Sequence, residues 1–344
     1  MLRRLVVMVA VFALTTFALG ATTVARAEGT TLKIGTLAPK ESPWGKVFTV
    51  WQKGFKERTN GAAEIQFFFN GTQGDEAAMV GKIRTGQLDG AAVTAIGLGQ
   101  IYKQVLILQV PGLFSSWEKL DAARAKLKPT IDAEFEKAGF KNIGEGDVGV
   151  AHIMSKGFPV RGPADLKKRG TCFIQGDPIV PMLYSLIGEV TPKAVQIPEI
   201  TGNLTSGSVN VIVSPSLAAE QLQWSPQLTH INTMTSGYAI GALVFSSAKV
   251  KSLPADVQTA LQETGAITGK ALTSTIRAAD KAAYERLAVG NPKASPPVPP
   301  RMTPYSPTPA EIAQWDKLAT DTKNKLKGNP FDPGLMAQVE AAGK

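Results

Sequence analysis

Val160-Arg161-Gly162-Pro163-Ala164-Asp165-Leu166-Lys167-Lys168 opens the stretch, ending at Pro215, whose reading decides the fold. Arg161 to Lys168 is polar and turn-forming, and Pro163 suits the first turn of a short helix. Thr171-Cys172-Phe173-Ile174 follows, short, apolar, β-branched and aromatic, which predicts a buried strand. Gly176-Asp177-Pro178 ends it, and Ile179 to Ile187 reads as a helix closed by Gly188. Val209 to Val213 reads as a second strand, stopped at Ser214-Pro215. Strand, helix, strand units build open α/β sheets, whose ligands sit in the crevice at the strands' carboxyl ends. Gln175 and Ser214 fall just past two such ends.

Pro163-Ala164-Asp165-Leu166-Lys167, then a strand, then Gly176-Asp177-Pro178 and a helix, resembles the solute-binding proteins of tripartite ATP-independent periplasmic (TRAP) transporters, the DctP family. Leu32 to Leu287 can be followed against that pattern. The resemblance implies an α/β, two-domain periplasmic binding protein fold of type II kind, with hinge strands and a long domain-spanning helix. It also implies a small-molecule ligand and TRAP membrane permease subunits as partners.

The chain has 344 residues and 44% hydrophobic content, enough for one large or two medium domains with their own cores. Its net charge is +9. The first 27 residues hold Arg3, Arg4 and Arg26 and no acid, so the remainder carries +6. That excess, without an arginine-rich block, is a soluble basic surface rather than a nucleic-acid footprint. Arg3-Arg4, the apolar run Leu5 to Leu19 and Ala25-Arg26-Ala27 form a secretory signal, residues 1–27, with Glu28 as first residue of a periplasmic product. The apolar run is shorter than the ~20 residues a membrane span needs. Cys172 is the only cysteine, so no intramolecular disulfide forms.

Toward the amino end, Thr31 to Leu37 reads as the first strand, and Trp44 to Glu57 as a helix with Val47, Val50, Trp51 and Phe55 on its apolar stripe. Glu64 to Phe69 is the second strand, Asp75 caps the next helix, and Gly86 ends that helix. Gly86 to Val93 resembles the family's third strand, with Thr94 at its cleft end. Ser115-Ser116-Trp117-Glu118 is a capping box for a long helix that Pro129 kinks or divides and Gly139 ends. Asn142 to Met154 and Tyr238 to Ser246 are extended segments crossing between domains, as a hinge requires.

Toward the carboxyl end, a long helix starts at about Ser252 and runs toward Gly290, with Val257, Leu261, Leu272, Ile276 and Leu287 apolar. The expected organisation is domain I from 28–150 with about 241–253, domain II from 151–240, and the spanning helix from 254–290. A Pro-rich connector follows at 291–309, then a C-terminal helix and tail at 310–344. The connector holds eight prolines and ends in the capping box Thr308-Pro309-Ala310-Glu311.

His152 and His230 lie far apart, and with one cysteine no Cys/His metal cluster of ordinary spacing assembles. His152 reads as a packed residue. A buried strand cysteine is an inert packing group, and Ser206-Gly207-Ser208 is no nucleophile elbow. The expectation is a monomeric binding protein, not an enzyme, with no cofactor. A sensory or partner-docking protein of the same fold is the alternative, and a secreted hydrolase the more distant one.

Family members carry an arginine at the strand's end that forks onto a substrate carboxylate. From Asp165 that position falls on Cys172 here, and Thr171 to Gln175 holds no base. The second cleft arginine falls near Val150, an aromatic becomes Ile197, and an asparagine becomes Ser214. These departures imply a neutral or apolar ligand. The candidate lining residues are Trp44, Gln73, Thr94, Val150, Cys172, Gln175, Ile197, Ser214 and Tyr238. Thr94, Gln175 and Ser214 would orient the ligand. Lys40, Lys193 and Arg169 are the bases nearest to replacing the clamp.

Overall fold

A computed structural model describes residues 29–343. The signal expected at 1–27 lies outside the described residues. Strands are β1 (Thr30–Thr36), β2 (Ala63–Phe68), β3 (Gly90–Thr94), β4 (Phe140–Ser155), β5 (Cys172–Ile174), β6 (Lys193–Val195), β7 (Val211–Pro215), β8 (His230–Asn232), β9 (Gly237–Ser246) and β10 (Thr303–Tyr305). Helices are α1 (Pro43–Arg58), α2 (Glu76–Arg84), α3 (Ala95–Gly99), α4 (Trp117–Lys137), α5 (Ile179–Ile187), α6 (Ile200–Ser206), α7 (Ser216–Gln221), α8 (Ser247–Ser252), α9 (Ala255–Tyr284), α10 (Pro309–Leu326) and α11 (Pro333–Ala342).

One sheet runs through the molecule in the order β10-β8-β4-β9-β3-β1-β2, and β7 pairs with β4. The 16-residue β4 is its spine. Its first part pairs antiparallel with β9, and its last residues pair with β7 and β8. Alternation along β9 divides two core layers. Ile240, Ala242 and Val244 face the layer of α2, α3, α4 and α11, whereas Leu243 and Phe245 face the layer of α1 and α9. At the end of β4, Ile153 and Met154 enter two further clusters around α5, β7 and β8.

The long helix α9 lies directly on β4. Gly265 and Gly269 permit this, because a Cβ on either would run into the β4 backbone or Ile143. Val257, Leu261, Leu272, Ile276 and Leu287 are all buried, as their spacing predicts.

Several expectations need correction. Val50 is 72% exposed, because the buried stripe of α1 runs through Phe48, Trp51 and Phe55. The cap of α4 is Ser116, not Ser115; its hydroxyl accepts from Lys119 N at 3.4 Å. The helix continues through Pro129 without dividing. The strand expected at 209–213 is β7, two residues later, so Ser214 lies inside it. β5 and β7 are not neighbours in one sheet: β5 pairs with β6, and only a bridge between Thr171 and Val211 joins them. Two- and three-residue differences of this kind arise because strand ends depend on the partner strand. The connector contains β10, which extends the sheet beside β8. The expected tail contains α11, whose Leu335, Met336 and Val339 pack into the α4 layer.

Candidate functional site

A cavity of about 630 Å³ opens where β1, β3, β5 and β7 end. Thr36 to Pro39, Trp44 and Thr94 line it from β1, α1 and β3, and Cys172 to Ile174, Ile179, Ser214 and Trp224 from β5, α5, β7 and the chain after α7. The spine supplies Gly146 to Val148 from β4 and Tyr238 from β9. One wall comes from α10, through Ile312, Trp315 and Ala319. The Thr308–Glu311 capping box starts that helix as expected. Trp315 Nε1 ties it to Arg161 O at 2.9 Å. Aromatic and aliphatic surface dominates, the usual makeup of a small-molecule site.

No Lys, Arg or His lines this cavity among the described residues, whereas Glu76, Asp147, Asp177 and Asp316 do. Glu76 accepts from Thr94 N, Thr94 Oγ1 and Gly97 N at 2.7–2.8 Å, and burial pushes its carboxyl upward. Asp147 accepts from Arg124 Nη2 and Arg277 Nε, both at 2.6 Å. Arg277 also forks onto Asp121 at 2.7 and 2.8 Å, and its guanidinium lies 4.1 Å from the Trp117 ring centre. Trp117 meets Tyr238 edge to face at 4.7 Å. Thus α4, β4 and α9 are pinned together behind the cavity by charges that are already paired. Asp316 is exposed on α10. Asp177 is half-buried, and burial pushes its carboxyl up to about 6.

A further carboxylate, Asp280 of α9, lies outside the cavity lining at the crossing itself. It accepts from Val150 N at 2.8 Å and Leu217 N at 2.9 Å, joining α9 to β4 and α7. Burial pushes it up to about 6 as well. Gly149 beside it has φ +142, and a Cβ there would run into the Asp280 carboxyl.

Of the residues singled out from sequence, Trp44, Thr94, Cys172, Ile197, Ser214 and Tyr238 line the cavity together. Trp44 Nε1 donates to Asp147 O at 3.3 Å. Thr94 spends its hydroxyl on Glu76, and Ser214 Oγ donates to Pro215 O at 2.9 Å. Gln73 does not line the cavity; its side chain accepts from Lys82 Nζ at 3.0 Å. Val150 does not line it either; its side chain packs against the core layer of α2, α3, α4 and α11. Gln175 is exposed and borders only a small adjoining recess.

The three bases nearest to replacing the clamp lie elsewhere. Arg169 stacks 4.0 Å over Phe158, Lys193 donates to Asn203 Oδ1 at 2.7 Å, and Lys40 is exposed. His152 is packed: its Nδ1 lies 3.0 Å from Met234 O, and its ring stacks on Tyr284. Sequence reasoning missed Asp147, Asp177, Trp224 and Trp315 as wall residues. Only Asp177 had a usable signal, its place in the Gly-x-Pro turn at the strand's end.

The protein-family model for bacterial extracellular solute-binding protein, family 7 (DctP), matches residues 34–325, and the chain belongs to that family. It is a solute-binding protein of the TRAP type. A solute-binding protein of Sulfitobacter sp. (strain NAS-14.1) is 23% identical over 247 residues, covering 71% of this chain and 74% of the relative. The sugar acid binding protein of Advenella mimigardefordensis, solved in complex with galactonate, matches with a TM-score of 0.83 at 13% identity, over 92% of this chain and 98% of that one. A TRAP periplasmic solute binding protein of Ralstonia eutropha H16, solved with (S)-2-acetolactate, matches with a TM-score of 0.79 at 21% identity, over 91% of this chain and 98% of that one. At such identities these two structures establish the shared fold.

Proposed function

We propose that this chain captures a neutral or mainly apolar small molecule in the cavity between two lobes and delivers it to a TRAP-type permease. The lobes divide at residues 150 and 241, where β4 and β9 cross, and closure about that crossing encloses the ligand. One observation carries the reading: an apolar cavity of about 630 Å³ whose described lining has four carboxylates and no base. Galactonate and acetolactate, bound by the two structural relatives, each bear a carboxylate. In this cavity such a group would be desolvated without a cation, and losing a bidentate arginine typically costs about 2–5 kcal/mol. A binding role without catalysis is supported by Cys172, whose thiol burial pushes up to about 11.

The test is calorimetric titration of ligand-stripped protein with short acids and neutral apolar molecules. Neutral molecules are expected to bind more tightly than succinate, malate or pyruvate, and scattering on the same samples is expected to show compaction on saturation. Micromolar binding of a short carboxylate refutes the neutral-ligand reading.

A further inference from the structure

The four carboxylates of the cavity are not equivalent. Glu76 is saturated by three donors from Thr94 and Gly97. Asp147 has a guanidinium on each oxygen. Asp316 is exposed to solvent on α10. Asp177 is half-buried, lines the cavity with Cys172, Ile174, Ile179 and Tyr184, and no Lys or Arg pairs with it among the described residues. Its Oδ1 accepts from Ile179 N at 2.7 Å, and the Val180 amide also leans on the carboxyl. Those amides fix the side chain at the start of α5, and its own N–H donates to Ile174 O at 3.0 Å. The acid is therefore oriented by the turn but left without a countercharge. A carboxylate so placed is costly to keep from water unless a donor meets it.

We infer that Asp177 sets ligand choice in this cavity by accepting a hydrogen bond from an amine or hydroxyl group at the polar end of an otherwise apolar ligand. This rests on the cavity being the ligand site, as proposed above. The same chemistry explains why a carboxylate end is refused: it would meet an acid with no cation between them. The broad aromatic lining, including Trp44, Phe173, Trp224 and Tyr238, suits the apolar body, and suits an ammonium too, since ring faces attract cations.

Four probes of one size separate the cases: ethylbenzene, phenethyl alcohol, phenethylamine and phenylacetate, titrated calorimetrically against the stripped full chain. The alcohol or the amine is expected to bind at least about tenfold more tightly than ethylbenzene, with phenylacetate weakest. An amine preference assigns an ionised Asp177, and an alcohol preference a hydroxyl ligand. In Asp177→Asn the Oδ1 cap on Ile179 N survives, but an amide donor replaces the second carboxylate oxygen. The ratio of amine or alcohol affinity to ethylbenzene affinity should fall about tenfold, and phenylacetate should rise. The order of affinities in the unaltered protein tests the inference even if the variant does not fold. Phenylacetate binding best, or a folded variant with the parental order, overturns the role of Asp177 while leaving the cavity reading standing. No binding of any probe, ethylbenzene included, overturns both.

Discussion

Asp147→Asn strikes the charges that hold α4, β4 and α9 together, and its cost follows from what each arginine keeps. Arg277 retains its fork onto Asp121, so it stays paired. Arg124 does not: its side chain is 9% exposed, and beyond Asp147 only Glu145 approaches, at 3.9 Å. Its Nε already has no hydrogen-bond partner. The asparagine amide also turns donors toward a guanidinium. Stranding a buried charge typically costs about 3–5 kcal/mol. For a chain of this size that lowers Tm by on the order of 10 °C. The assay is urea unfolding with m compared between variants, together with a thermal melt. The double change Asp147→Leu with Arg124→Met should recover much of the loss, because no unpaired charge remains buried. A shift below about 1 kcal/mol for Asp147→Asn at unchanged m refutes the reasoning.

Asp280 should contribute to stability with an unusual pH dependence. Asp280 binds its proton more tightly folded, at about 6, than unfolded, at 3.8, so its contribution is full below 3.8 and is lost as pH rises through 6. Asp177 acts in the same sense. Glu64, Glu118, Glu136 and Glu311, held below 4.5 by their hydrogen-bond partners, lose stability only at lower pH. His152 acts the opposite way in this window: burial holds its imidazole below 6.5, so its contribution is lost as pH falls. The Asp280 share alone favours pH 5 over pH 7 by roughly 1–1.5 kcal/mol. Asp280→Asn should remove that share, so the stability difference between pH 5 and pH 7 should shift by that amount between parent and variant, and an unchanged pH dependence in a folded variant contradicts the assignment. Gly149→Ala should cost more than about 2 kcal/mol, since the backbone stands at φ +142 and the methyl meets Asp280. Chemical denaturation checks this, and a neutral result means that β4 can shift at the crossing.

Local chemistry was enough for much of this protein. The strand at 172–174, the turn at Gly176, the helix Ile179–Ile187 and its Gly188 stop are specified by neighbouring residues. So are the caps at Asp75 and Thr308 and the apolar stripe of α9. The absence of a base from Thr171 to Gln175 is likewise plain in the sequence. Contacts distant along the chain decided the rest. Trp315 stands 154 residues from the Arg161 carbonyl that orients it, and Asp147 130 residues from Arg277. Nothing near Thr303 announces a strand until β8 offers its edge. Gln73 and Val150 looked like wall residues by position, but Lys82 and packing against the α4 core layer took them elsewhere. Caps and periodicity act within a turn or two of chain, so they specify elements. Which side chains share a cavity, and which acid there lacks a partner, depends on packing between elements, and only the folded chain determines it.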